Sequence, residues 1–510
     1  MPIPIIDLFA GPGGLGEGFS SVLDRQAKRL FKIALSVEKD EHAYCTLELR
    51  AFFREFPHKK VPAEYYDYLR GKISRDELFK EFATEAAAAA QEAWLAELGH
   101  ASTPASIVDE RIRIGLGDAG KWALIGGPPC QAYSLVGRSR IIGREGLAEY
   151  EKDPRHELYR QYLRILAVHR PPVFVMENVK GLLSATLKQE RTFERILADL
   201  KFPRAATGFG SKDELEYHFY PLISTTGELL GHFEPEDFIV RCEDFEIPQA
   251  RHRIIILGIR SDWERKPGLL EKGKSKVSIE EVIGDLPHLR SSLSKEADSS
   301  ELWRDAVKEI TATAWSRNGE VTDDLREALF SAVRRVGANL NTGGRFVPSV
   351  RKPKRHSGWF RDLKLAGVCN HETRGHIRSD LHRYFFAAVY ARERGRSPLL
   401  EHLPKPLLPD HKNVPKALED TKFNDRFRVQ MAGRPSTTIV SHIAKDGHYY
   451  IHYDPAQCRS LTVREAARLQ TFPDNYFFEG PRTEQYHQVG NAVPPLLARQ
   501  IAEIVADLLV

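Results

Sequence analysis

Residues 3–14 read IPIIDLFAGPGG. An apolar run from Ile3 to Phe9 ends in the glycine cluster Ala10-Gly11-Pro12-Gly13-Gly14, and a helical pattern follows from Leu15 to about Leu23. Apolar runs of this length, bounded by turn residues and flanked by helical segments, predict buried parallel strands. Outward from this stretch the pattern recurs at 33–37 (IALSV), 122–125, 173–176 and 253–259, with helix expected over 156–170 and 187–200. Strand–helix alternation of this kind predicts a doubly wound α/β sheet. Residues 40–121 read as mainly helical and include five consecutive alanines, 86–90, so an inserted helical decoration is expected there.

After Ile259 the alternation stops. Residues 261–455 mix basic stretches, prolines, histidines and aromatics, with helical fragments at 320–336 and 380–394, and predict a separate second domain. Order returns at 459, where Thr462 and Glu465 form a T-x-x-E capping box. A last helix is expected from about Pro495, with apolar positions at Leu497, Ile501, Ile504, Val505 and Leu508.

Five sites carry candidate chemistry. A glycine turn after a first strand lets a ligand approach the backbone, and Glu38, twenty-seven residues after Gly11, ends the next strand, where a carboxylate can take both hydroxyls of a ribose. There is no G-K-[ST] and no clean G-x-G-x-x-G, so a nucleoside without a pyrophosphate is the expected ligand. In GGPPCQAYS, 126–134, Cys130 stands just beyond a strand's carboxyl end behind two prolines that restrict the backbone. Glu177 ends the apolar run Val173 to Met176, and a carboxylate there needs a partner. Arg251 and Arg253, two apart in extended chain, point the same way and suit an anion or a carbonyl oxygen. Asn491 lies in the tight sequence QVGNAVPP, 488–495.

Composition excludes several classes. The 510 residues are 42% hydrophobic and 28% charged, ordinary for a globular chain and enough for a sizeable core. Five cysteines at 45, 130, 242, 369 and 458 include no C-x-x-C, so neither a disulfide framework nor a zinc knuckle is expected, no metal site is assigned, and a reducing, cytoplasmic setting fits. The start Met1-Pro2-Ile3-Pro4 does not read as a signal peptide, and no run approaches a membrane span. The net charge is only +4, yet residues 331–400 hold 15 Lys/Arg against 4 Asp/Glu, including Arg351-Lys352-Pro353-Lys354-Arg355-His356 and the cluster Arg392, Arg394, Arg396. That local excess suits phosphate neutralisation.

Taken in order, DLFAGPGG (7–14), GGPPCQAYS (126–134), ENVKG (177–181), QARHR (249–253), RSLTVREAARLQTFPD (459–474) and QVGNAVPP (488–495) closely resemble the cytosine-5 DNA methyltransferases of the bacterial modification type. The resemblance covers residues 1–260 and 456–510. It implies a Rossmann-like, S-adenosylmethionine-dependent methyltransferase domain over 1–260, an inserted, smaller target-recognition domain over 261–455, and a C-terminal part, 456–510, completing the catalytic domain. It implies that Asp7, Phe9, Gly11, Gly13, Gly14, Glu38, Pro129, Leu158 and Asn491 form the cofactor pocket. Cys130 would be the nucleophile, Glu177 the ligand of the cytosine ring nitrogen and amino group, Arg253 that of its carbonyl, and Arg251 a support for the catalytic loop or a phosphate. The family's adenine-contacting aspartate has two candidates, Asp109 and Asp118. Arg434 to Thr438 (RPSTT) is a candidate part of the reading surface. The implied activity is DNA (cytosine-5-)-methyltransferase, acting on a flipped-out base of double-stranded DNA as a monomer near the bacterial nucleoid. A cognate restriction endonuclease or defence-system proteins are the candidate partners. The alternatives are an RNA (tRNA) cytosine-5 methyltransferase on the same fold and a non-catalytic DNA-binding relative. The last helix is expected to pack beside the first and bring Asn491 to the glycine turn.

Overall fold

The computed structural model describes residues 2–128, 158–184, 186–187, 190–209, 215–224, 233–337, 339–410, 414–419 and 424–510. The chain forms two compact units. The first comprises Met1–Tyr65, Arg75–Ser275 and Ala492–Val510, and the second Tyr66–Ser74 and Lys276–Asn491.

The first unit is built on an eight-stranded sheet: β1 (Ile3–Leu8), β2 (Phe31–Glu38), β3 (Ala93–Leu95), β4 (Ala123–Gly126), β5 (Val173–Val179), β6 (Tyr217–Tyr220), β7 (Ile239–Arg241) and β8 (His252–Arg260). The order is β3-β2-β1-β4-β5-β8-β6, with β7 also on β8. The first five strands are parallel, and β8 runs antiparallel to β5, β6 and β7. Connections leave β1 toward β2 on one side and reach β4 on the other, so the topological switch point lies at β1, where such sheets bind ligands beyond their carboxyl ends.

Side-chain alternation explains why these strands read as continuous apolar runs. On one face Ile5, Ile33, Val175 and Ile255 pack with Phe19, Leu497, Ile501 and Val505. On the other, Ile6, Leu35, Leu124, Phe174 and Ile256 pack with Ile112, Tyr162 and Leu166. The first helix, Gly14–Ser20, lies against the last, Pro495–Leu509, as expected. A Cβ on Gly14 would stand 2.2 Å from the Val493 carbonyl oxygen, and one on Gly18 2.4 Å from the Ala498 Cβ, so this contact requires glycine at both positions.

Two expectations change here. Residues 40–121 are not only a helical decoration: after the helix Ala83–Glu92 the chain enters β3 and extends the parallel sheet beside β2. Leu187, Glu190 and Arg191, expected in a helix, are extended. Thr186–Leu187 and Glu190–Arg191 form a short ladder, and the helix starts at Thr192.

The second unit has its own core. The helices Ser300–Lys308, Asp323–Val333 and Arg378–Arg394 bury Trp303, Val307, Leu329, Phe385 and Val389 together. Segment 456–491, expected to complete the first domain, belongs here instead. The physical reason is its buried arginines. Arg459 grips both oxygens of Glu465 at 2.7 and 2.6 Å and also donates to Leu289 O. Arg464 donates to Cys369 O at 2.7 Å. Arg468 holds both oxygens of Asp474 at 2.8 and 2.9 Å, and donates to Val282 O and Asp285. Such charges tolerate burial only when paired, so this segment is fixed where its partners are. The expected capping box is present: Thr462 accepts from Glu465 N, and Glu465 from Thr462 N.

Residues Tyr66–Ser74, from within the 40–121 stretch, also pack into the second unit. Tyr66 donates to Asp362, Arg345 donates to Tyr68 O, and the Arg345 guanidinium lies over the rings of Tyr68 and Phe477 at 4.7 and 4.2 Å.

Candidate active site

At the carboxyl end of β1 the chain turns sharply. Phe9 (φ 56°), Gly11 (φ 57°) and Gly13 (φ 88°) are all left-handed, a conformation only glycine adopts without strain. A non-glycine residue held there, Phe9, is paid for by surrounding packing. The turn is pinned to the next strand: Ala10 N donates to Val37 O at 3.1 Å, and Gly11 N to Glu38 Oε2 at 2.7 Å. The other Glu38 oxygen accepts from Lys39 N and Asp40 N, both at 2.8 Å. Burial raises the Glu38 carboxyl above its ordinary range, against the pull of these three N–H donors. Among the described residues no heavy atom lies within 4 Å of a Cβ built on Gly11, so that glycine faces open space there. Gly14, in contrast, serves the helix contact described above.

Asp7 is fully buried, and among the described residues no side chain hydrogen-bonds its carboxylate. One oxygen lies 3.2 Å from the Cβ position of Gly16, beneath the first helix. Burial pushes its carboxyl up to about 8, with Arg54 opposing.

A second group gathers at the ends of β4, β5 and β8. Arg253 Nε stands 2.9 Å from Glu177 Oε1, both side chains mostly buried. A Cβ on Gly127 would come within 3.1 Å of Glu177 Oε2, so the backbone after β4 passes directly beside the carboxylate. Asn178 is buried, its side-chain oxygen accepting from Val179 N at 2.8 Å and its amide reaching toward Pro128 O at 3.5 Å. Arg253 also donates to His252 O. Arg251, expected to support the catalytic loop or a phosphate, is 2% exposed and donates to Ala492 O at 2.9 Å. It ties the start of β8 to the segment entering the last helix.

A model of the family described as C-5 cytosine-specific DNA methylase matches residues 114–203 and 218–506. The chain belongs to the C-5 cytosine-specific DNA methylases. The type II methyltransferase M.Bpa9945I of Bacillus paralicheniformis is 33% identical, covering 99% of each chain. The type II methyltransferase M.AgeI of Thalassovita gelatinovora is 26% identical over 98% of each. The DNA (cytosine-5-)-methyltransferase M.ApeKI of Aeropyrum pernix is 30% identical over 76% of this chain and 81% of its own.

In this C-5 methylase the remaining expected residues fall as follows. Pro129 and Cys130 lie outside the described residues. Leu158 begins the half-buried helix Leu158–His169, whose Tyr162 donates to Val175 O at 3.1 Å. Asn491 ends the helix Arg482–Asn491 of the second unit and is exposed. Neither aspartate candidate for the adenine suits the role equally. Asp109 is committed to Arg164 at 2.9 and 3.0 Å and to His169 at 2.9 Å. Asp118 is exposed in the turn before β4. The acidic residue that the fold places beyond the carboxyl end of β3 is Glu97, which pairs with Lys39 at 3.0 Å. The sequence does not announce this strand: three residues, AWL, follow an alanine-rich helix without a turn signal. RPSTT, 434–438, is pinned by Gln430, which binds Thr437 at its backbone N and hydroxyl, while Arg434 is exposed.

Proposed function

We propose that this methyltransferase modifies carbon 5 of a flipped-out cytosine in a specific duplex DNA sequence, through a covalent adduct of Cys130. The observation that carries this reading is the Glu177–Arg253 pair, 2.9 Å apart, set against the Gly126-Gly127-Pro128 lead-in to Cys130. Carbon 5 of cytosine is a poor nucleophile. Addition of the Cys130 thiolate to carbon 6 makes the ring enamine-like and splits one hard step into easier ones. Glu177 hydrogen-bonds ring nitrogen 3 and the amino group, offsetting charge pushed into the ring. Arg253 takes the ring carbonyl and orients the carboxylate through the same guanidinium. Loss of the carbon 5 proton then expels the cysteine.

The residues at the switch point fit S-adenosylmethionine. Glu38 is fixed by three backbone N–H groups beside the open space at Gly11, as a ribose-binding carboxylate requires. Glu97, in place of Asp109 or Asp118, is the acidic residue we assign to the adenine. Phe9, Gly11, Gly13, Pro129 and Leu158 complete the pocket in this reading. When bound, this cofactor supplies an electrophilic methyl group. The setting is the modification half of a restriction–modification system in a bacterial cytoplasm, with duplex DNA as substrate and a cognate endonuclease as partner. The full-length relative M.Bpa9945I, called a type II methyltransferase, supports this.

Bisulfite sequencing of DNA from cells expressing the chain tests the substrate: methylcytosine at one recurrent sequence is expected. Methyl incorporation into a tRNA transcript, and none into duplex DNA, would overturn it. Duplex DNA carrying 5-fluorocytosine should trap a covalent complex that Cys130→Ala does not form.

A further inference from the structure

The basic stretch 331–400 is less free than its composition suggests. Arg378 pairs with Glu296 at 2.9 Å and also with Glu309, Arg383 with Asp380 at 2.8 Å, Arg392 with Glu393 at 2.9 Å, and Arg394 with Asp324 at 2.6 Å. Arg374 lies over the Tyr486 ring at 4.0 Å. The Arg392–Arg396 cluster, singled out as a DNA-contacting excess, is therefore largely neutralised within the unit.

Residues 350–364 differ. They hold six Lys/Arg and a single acidic residue, Asp362, which is occupied by Tyr66 and Asn475, each at 2.7 Å; of the six cations Lys354 pairs with Glu280 at 3.0 Å. Arg351 and Lys352 are exposed. Within the same surface stand the two most exposed large aliphatic side chains of the described residues, Val350 at 85% and Leu363 at 80%. A singly exposed aliphatic residue is ordinary. Two of them in one short basic stretch are not. Their segments are bound together: Arg361 donates to Val350 O at 3.0 Å, and Ser349 N to Ala366 O at 3.2 Å. The platform is anchored by Trp359, whose ring N–H donates to Thr471 O at 2.7 Å, and by buried Phe360, whose carbonyl accepts from Asp474 N. Leu365, at the far side of the turn 363–365, is fully buried and anchors the segment that carries Leu363.

We propose that this surface docks on the DNA substrate, with Arg351 and Lys352 on phosphates and Val350 and Leu363 against base edges in the adjoining groove. The proposal rests on the reading of the substrate as duplex DNA. Its ground is charge complementarity: cations in a fixed frame meet a polyanion, and apolar tips between them meet what lies between phosphate rows, such as a thymine methyl.

The test measures binding of the full chain to 30-base-pair duplexes by fluorescence anisotropy, from low to moderate salt. One duplex carries the methylation site mapped by bisulfite sequencing, the other a scrambled sequence. Arg351→Ala/Lys352→Ala should make the slope of log K against log salt shallower by about 1.8, for two lost phosphate contacts. Val350→Ala/Leu363→Ala should leave the slope unchanged and reduce discrimination between the duplexes about tenfold. All four side chains are exposed, so both variants should keep the wild-type melting temperature. Unchanged slope and discrimination in variants of a chain that methylates the mapped duplex would overturn the docking surface alone. A wild-type chain that methylates a tRNA transcript and not the duplex would overturn the underlying reading, and this inference with it.

Discussion

Glycine and carboxylate positions decide the site. Gly14 has no room for a side chain, because the Val493 carbonyl oxygen stands 2.2 Å from where a Cβ would be. Gly14→Ala should therefore cost about 2 kcal/mol and lower the melting temperature by about 5 °C, checked by calorimetry. The motif reading places that glycine at the cofactor, and the packing adds that it leaves no room for a side chain beside Val493, on the approach to the last helix. Motifs record which residue is required but not which neighbour requires it. Glu177→Gln keeps the shape of the side chain but removes its negative charge beside Arg253. We expect kcat to fall at least about 100-fold in a methyl-transfer assay with the cofactor Kd unchanged. Glu38→Gln should do the reverse, weakening cofactor binding roughly tenfold through loss of a charged hydrogen-bond acceptor, measured by isothermal titration calorimetry. Glu177, Arg253 and Glu38 were legible because strand-end acids and a paired arginine stand out against apolar runs. Glu97 was not, because its strand is three residues long.

Among elements, the helix Val463–Leu469 shows how a motif and a fold can part. Its capping box was readable from Thr462 and Glu465 alone. The unit it belongs to was not, because that depends on partners far away in sequence: Leu289, Val282, Asp285 and Cys369. Burial works against ionisation of Glu465, but the Arg459 guanidinium holds its carboxyl well below the usual range. Glu465→Gln leaves a buried arginine uncompensated, and about 3 kcal/mol of stability should be lost, seen as a lower urea midpoint. The last helix makes the complementary case. Truncation after Asn491 removes Leu497, Ile501 and Val505 from the core face shared with β1 and β2. Cofactor binding should be abolished in the truncated chain, and unchanged affinity would refute the role given to that helix.

The two units of the whole molecule should respond oppositely to pH. In the second, burial lowers His371 and His452 to about 4 and His376 to about 3. Each stays neutral when folded and gains a proton more readily when unfolded. Their stabilisation is present above about 6.5 and is lost as pH falls toward 4. In the first, Asp7 is raised to about 8 from 3.8, so its stabilisation is present below 3.8 and is lost as pH rises toward 8. Hydrogen exchange corrected for intrinsic rates should show the second unit loosening from pH 6.5 to 4.5 and the first loosening from pH 6 to 8. Asp7→Asn should flatten the second of these profiles. The near-neutral overall charge concealed such regional contrasts, since a sum cannot show where charges sit or which are already paired.

The seating of Tyr66–Ser74 in the second unit bears on how such chains can be recombined. Neither unit is encoded by one contiguous stretch. An exchange of 276–491 between relatives would leave the recipient's own 66–74 facing a foreign Asp362, Arg345 and Phe477. A chimera that carries both segments should fold where one carrying only the longer does not, so the second unit has to be exchanged as a two-part cassette.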